Sequence, residues 1–302
     1  MYLLPARKCS TPNLSNINLK TGDLRTLDAL LLSLPSGNTA PLRSLAQTTA
    51  FVYGTTYFNE TGRHAIGSGL HQWRLPEKKS GADAIPVYTQ IVAGAVSAVA
   101  ARKDDLFYSI EDVVYMRNDH AERESRIGNL GQGKRITSLL VTGVLLGTGN
   151  TEGFFTLWDN EHHLLIDNKQ LASNSPLTAL ERVEYNGDVY VIAGSEDAYL
   201  IVLRLSDQHV VARRKLRNLA EEKPVSSIKA LAGDDPELIF SCGSDVLGCR
   251  ISELVQHPRS NQREGLRNYA GVSSTDRTAY GLAVIPNLSV LPPTAERTGE
   301  RI

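Results

Sequence analysis

The segment Gly128-Asn-Leu-Gly-Gln-Gly-Lys-Arg135 comes nearest to a chemical motif in this chain, because its glycines and lysine almost match a phosphate-binding loop. Its last position is Arg135, however, where magnesium coordination needs a Ser or Thr hydroxyl. The adjoining run Ile136-Thr-Ser-Leu-Leu-Val has strand rather than helix chemistry, so no helix N-terminus receives a phosphate. The segment therefore reads as a loop between structural units. Ala65-Ile-Gly-Ser-Gly holds the residues of a nucleophile elbow in the wrong order. His162 and His163 are adjacent and would face opposite sides of a strand, which prevents them from gripping one ion together. Cys9, Cys242 and Cys249 have no CxxC spacing, and the last two lie in apolar runs expected to bury small thiols. The most basic run, Arg213-Arg-Lys-Leu-Arg217, is soon followed by Glu221-Glu222 and lacks the interleaved aromatics that stack single-stranded bases. No catalytic residues, cofactor or metal are expected from these residues.

Composition agrees with a folded protein of modest charge. The chain has 302 residues, 41% hydrophobic and 22% charged, with a formal net charge of −1. That balance excludes disordered, collagen-like and coiled-coil classes. It also argues against non-specific nucleic-acid binding, so any nucleic-acid role is expected to be indirect. The longest apolar-rich stretch, Ser138 to Gly149, falls short of the roughly 18 to 20 residues that span a bilayer. The opening Met-Tyr-Leu-Leu-Pro-Ala-Arg-Lys has too short an apolar run for a secretory signal. The expectation is an intracellular protein, cytoplasmic or nuclear, without membrane association.

The elements that must position any site repeat along the chain. A tetrapeptide, apolar–hydroxyl–small–apolar, occurs as Val96-Ser-Ala-Val99, Ile136-Thr-Ser-Leu139, Leu177-Thr-Ala-Leu180 and Val225-Ser-Ser-Ile228, with a weaker copy at Leu42-Arg-Ser-Leu45 and a doubtful one at Val272-Ser-Ser-Thr275. Each of the first five is followed by two further runs rich in Val, Ile, Leu, Tyr and Phe, bounded by Gly, Asp, Asn and Ser. This is strand chemistry with turn punctuation. From Gly67 through Ser109, Gly147 and Gly194 to Gly243 the spacing averages 44 residues. Units of 40 to 45 residues with several short strands predict a β-propeller. The chain is therefore expected to be all-β, a single propeller over 1–302. Its length divided by the period predicts seven four-stranded antiparallel blades, with six as the alternative. Residues 42–291 carry the clear repeats. Residues 1–41 are expected to close the ring or form a partial blade, and 292–302 a flexible tail.

Gly147-Thr-Gly-Asn-Thr-Glu-Gly-Phe-Phe-Thr-Leu-Trp-Asp159 resembles the end of a WD40 repeat, and Ala193 to Arg204 and Cys242-Gly-Ser-Asp245 resemble weaker copies. Leu70-His-Gln-Trp73 places a second Trp at the matching position. The resemblance departs from the family in having only 2 Trp residues and no Gly-His dipeptide, so the family's Trp–Ser–His–Asp network is expected to be incomplete. It implies a WD-repeat propeller that binds other proteins as a scaffold subunit, a single copy within a hetero-complex. The alternative it leaves open is a propeller hydrolase such as a WD40-type methylesterase.

In a propeller the turns between second and third strands share one face. Those turns hold Glu111 and Asp112, then Glu152, then Glu196 and Asp197, then Asp245, while Arg63 and His64 break the series in the preceding unit. These residues are the expected partner-binding set, suited to a Lys/Arg-rich segment whose on-rate and specificity the carboxylates would set. Asp in such turns also bonds its own backbone, which makes the glutamates the more informative members. Trp158, ending a continuous apolar strand, is expected to be buried between units.

Overall fold

The β-branched and aromatic runs fold as short antiparallel strands. The structure, a computed structural model, describes residues 2–3, 15–17, 24–26, 42–56, 69–74, 87–93, 95–121, 123–159, 165–216, 223–243, 245–256, 266–270 and 284–285. Three short strands come first: β1 (Tyr2–Leu3), β2 (Ser15–Ile17) and β3 (Leu24–Thr26). The first blade is β4 (Leu42–Gln47), β5 (Phe51–Thr56), β6 (Gly69–Arg74) and β7 (Val87–Ala93). The second is β8 (Val96–Arg102), β9 (Asp105–Ile110), β10 (Val113–Asn118) and β11 (Glu124–Gly128). The third is β12 (Ile136–Thr142), β13 (Leu145–Asn150), β14 (Phe154–Asp159) and β15 (Leu165–Gln170). The fourth is β16 (Leu177–Tyr185), β17 (Asp188–Ser195), β18 (Tyr199–Arg204) and β19 (His209–Lys215). The fifth is β20 (Val225–Leu231), β21 (Glu237–Cys242), β22 (Asp245–Arg250) and β23 (Arg267–Ala270), with a short helix α1 (Ile251–Gln256) after β22. A last strand, β24 (Val284–Ile285), pairs antiparallel with β1, setting Tyr2 opposite Ile285.

The protein is thus an all-β single propeller, but among the described residues it has five four-stranded blades rather than seven or six. Dividing the whole length by the period counts segments that do not keep it. Outside the blades, β2 and β3 form only a two-stranded ladder with Ile17 opposite Leu24, and β1 with β24 another. The anchors of the period are also unequal. The residues that occupy the same register are Thr55, Ser109, Gly149, Gly194 and Ser241, not Gly67, Gly147 and Gly243. The doubtful repeat at 272–275 and the tail 292–302 lie outside the described residues. The charged residues 124–128 and 209–215 form outer strands, β11 and β19.

The recurring tetrapeptide is a β-bulge. In every described blade the register between first and second strands slips at its second residue, so Arg43, Ser97, Thr137, Thr178 and Ser226 are each the extra residue of their strand. A bulge re-aims the side chain it carries. The Thr137 hydroxyl is aimed at the next blade, donating to the Leu177 carbonyl at 2.7 Å, and Thr178 donates likewise to Val225 at 2.6 Å. Ser97 and Ser226 meet the hydroxyls of Ser109 and Ser241 within their own blades. The second strand must leave room for this approach. A Cβ on Gly194 would lie 2.6 Å from Cγ1 of Val225, and one on Gly149 would lie 2.8 Å from Cβ of Leu177.

Apolar side chains fill the layers between blades. Tyr53 and Leu70 meet Val96, Leu106 and Tyr108 at the first junction, and Phe107 and Val114 meet Ile136, Leu146 and Trp158 at the second. Phe155 and Leu157 meet Leu177, Val191 and Ile201 at the third, and Ile192 and Val202 meet Val225, Leu238 and Phe240 at the fourth. Trp158 is 9% exposed, as its apolar run predicts. Its Nε1 has no hydrogen-bond partner among the described residues.

Two outcomes test this packing. Trp158→Ala should cost about 3 to 5 kcal/mol in denaturant unfolding. Gly194→Ala should lower stability by about 1 to 3 kcal/mol through overpacking, whereas Gly233→Ala, where a Cβ meets nothing within 4 Å, should be close to neutral.

Candidate functional site

Each second-to-third-strand turn follows the first-strand bulge across its hairpin, so successive blades present these turns on the same face. The structure places Glu111 and Asp112 between β9 and β10, Glu152 between β13 and β14, and Glu196 and Asp197 between β17 and β18. Asp245 opens β22 directly after the fifth blade's turn. Four successive blades therefore bring their acidic residues to one face. Arg63 and His64 lie outside the described residues.

Local chemistry separates structural carboxylates from available ones. Asp197 accepts from the Ser195 hydroxyl at 2.5 Å and the Ser175 hydroxyl at 2.8 Å, which locks the turn to the preceding inter-blade loop. Asp112 accepts from the Gly133 backbone N–H at 3.1 Å and the Asn129 amide at 3.3 Å, which fixes the 129–135 loop. Gly131 approaches so closely that a Cβ there would lie 2.9 Å from the Asp112 Cα. Gly131 of the would-be phosphate loop is thus used for packing against the neighbouring turn, whereas a Cβ at Gly133 would meet nothing within 4 Å. Glu152 sits in a turn closed by Asn150, whose Oδ1 accepts from the Glu152 and Phe154 backbone N–H groups at 3.0 Å. Its carboxylate forms a half-exposed ion pair with Lys134 at 2.5 Å. Glu111 and Glu196 are exposed, and their carboxylates reach no partner among the described residues. Glu111 holds a positive φ of 53° in the tight turn between β9 and β10.

Burial raises the Asp245 carboxyl above its ordinary range, and the Lys223 ammonium beside it acts in the opposite direction. The neighbouring Cys242 thiol is pushed up to about 12 by burial, then by the Asp245 charge, and burial also pushes Cys249 up to about 12. Both therefore stay protonated at neutral pH, as poor nucleophiles.

The sequence reading missed the charged wall of the channel. First strands of all five blades line a cavity of about 380 Å³. Ala46 and Ala100 lie on the side of the first two blades, and Glu181, Arg182 and Lys229 on the side of the last two. Glu181 and Lys229 form a partly buried pair at 2.9 Å that ties β16 to β20. The signal was legible in principle, since Glu181-Arg182 directly follows an apolar tetrapeptide in a strand otherwise built for a core. The opposite face carries a further tie: the Asp119 carboxylate accepts from the Thr48 hydroxyl at 2.5 Å and from the Tyr53 hydroxyl, joining the first two blades. Burial and this carboxylate raise the Tyr53 phenol far above its ordinary value.

No protein-family model and no curated protein matches the chain. Among solved structures it is similar to the computationally designed Ika8 protein, at 15% identity and a TM-score of 0.48, over 83% of this chain and 67% of that one. No helix among the described residues is long and apolar enough to cross a membrane.

Because the folded-state Asp245 carboxyl lies above its unfolded value, ionising it at neutral pH opposes folding, and the penalty fades as pH falls below the folded value. Asp245→Asn should therefore raise the melting temperature at pH 7, with the gain shrinking on acidification. A melting-temperature series from pH 7 to pH 4 checks this.

Proposed function

We propose that this chain is a non-catalytic WD-repeat-like scaffold that holds a Lys/Arg-rich segment of a partner protein across the face of second-to-third-strand turns. The observation that carries the reading is an exposed glutamate at the first turn position of the second and fourth blades, Glu111 and Glu196, with Glu152 one position further on in the third. Glu111 and Glu196 project into solvent with no internal partner among the described residues, while Asp112 and Asp197 beside them are consumed in holding those turns rigid. A stiff blade end that displays an unspent carboxylate is suited to recognition, because side-chain positions are set before the partner arrives. Glu152 contributes less, since Lys134 already neutralises it. Exposed charges of this kind act chiefly on association rate and partner choice.

The double variant Glu111→Lys, Glu196→Lys should fold with unchanged stability and lose most of its recovery of a partner complex from cells, with the loss largest at low salt. Asp197→Ala provides the contrast: it should lower stability by about 1 kcal/mol through loss of two partly buried hydrogen bonds. Undiminished partner recovery by the double variant would remove this face from the account.

A further inference from the structure

We propose that the channel is a binding site for a small amphipathic carboxylate, an aliphatic chain ending in a single anionic headgroup. The channel wall has two chemically distinct sides. Four residues after the opening residue of each tetrapeptide, the first three blades carry Ala46, Ala100 and Leu140, whereas the last two carry Glu181 and Lys229. One residue further on, the first three carry Gln47, Ala101 and Val141, none of them charged, and the fourth carries Arg182. The cavity of about 380 Å³ is therefore largely aliphatic on one side and charged on the other. Its size falls within the range of small-molecule sites, which pair an apolar lining with a few placed polar groups.

The charged side selects the headgroup. Lys229 donates to the Glu181 carboxylate at 2.9 Å, and its remaining ammonium N–H groups have no partner among the described residues. Glu181 also accepts from the Ala230 backbone N–H at 3.4 Å, so it is held in place and fixes the ammonium beside it. Arg182 meets Glu184 through Nη2 alone, which leaves most of its guanidinium fork unspent among the described residues. Glu184 is 66% exposed, and water screens that pair. The Lys229 and Arg182 side chains are only 32% and 31% exposed, so an anion reaching them would be bound where water competes less. Among the charged lining residues two cations stand against one carboxylate, an excess that suits a monoanion. A phosphate dianion would meet stronger repulsion from Glu181. The aliphatic side then takes the chain, and each methylene removed from water adds affinity. Glu181 and Arg182 lie in the half of β16 remote from the turn that holds Glu196, and the inference does not rest on the partner reading above.

Isothermal titration calorimetry of the full chain with hexanoate tests it, beside acetate, hexanol and inorganic phosphate. Hexanoate should bind saturably at a single site per chain, and more tightly than any of the other three. Arg182→Gln should weaken hexanoate about tenfold by removing a charged donor, and Arg182→Lys should recover part of that loss. Ala101→Glu, which sets a carboxylate on the aliphatic side at a partly buried position, should abolish binding. All three variants should keep the unfolding midpoint of the unmodified chain. A titration with no saturable hexanoate binding would overturn the proposal. So would hexanol binding as tightly as hexanoate, which would make the channel a simple apolar void, or phosphate doing so, which would make it a bare anion site. Undiminished hexanoate binding by a folded Arg182→Gln or Ala101→Glu chain would place the ligand elsewhere and overturn it equally.

Discussion

Everything in this fold depends on how closely one blade can approach the next. The first-strand bulge turns a hydroxyl outward, and in the third and fourth blades that hydroxyl bonds the carbonyl opening the following blade. The approach is possible only because Gly149 and Gly194 present no side chain to Leu177 and Val225. Each such hydrogen bond contributes only about 1 kcal/mol net. Their larger effect is to fix the spacing at which the apolar layers close, and those layers supply the main stabilisation. A second bulge in the outer strands serves the same end. Its extra residue is Ile91, Ile127 or Val211 in the first, second and fourth blades, each packed against a junction core. In the third blade it is Ile166, which is 46% exposed.

The same geometry orders the turn face. Once the first and second strands are held by their neighbours, the adjoining hairpin has little freedom left. Asn150, Ser195, Asp112 and Asp197 then tie each turn to its own strand or to an adjoining inter-blade loop. What remains exposed, Glu111 and Glu196, is displayed on a scaffold whose conformation is already set. The division of labour between adjacent acidic residues links the packing of the blades to the proposed recognition.

Sequence disclosed the repeated unit well because the constraints that make a junction are local and restrictive. An apolar residue, a hydroxyl and a small residue must follow one another, and only certain residue types fit. The second and third strands were legible because burial on both faces makes them continuous apolar runs. Outer strands were harder to see: β11 and β19 carry the charges that protect an edge, and charge imitates a loop. The blade number failed for a different reason. A period is a property of the segments that keep it, and the terminal segments do not form four-stranded units among the described residues. On the turn face, sequence located the carboxylates but could not tell Asp197, spent on two serine hydroxyls, from Glu196, which faces water. The channel pair of Glu181 and Lys229 was hidden because its members lie 48 residues apart and meet only when two blades do.

The central claim is that neighbouring blades are coupled through the bulge hydroxyl, and hydrogen–deuterium exchange on the full-length Thr178→Val variant tests it most directly. Thr178 touches its neighbour through a single side-chain bond to Val225, so the substitution removes the coupling while keeping the shape of the residue. The account predicts that amides of β20 and β21, in the fifth blade, lose protection together with those of β16 and β17. Faster exchange confined to the fourth blade, with β20 and β21 protected as before, would contradict it.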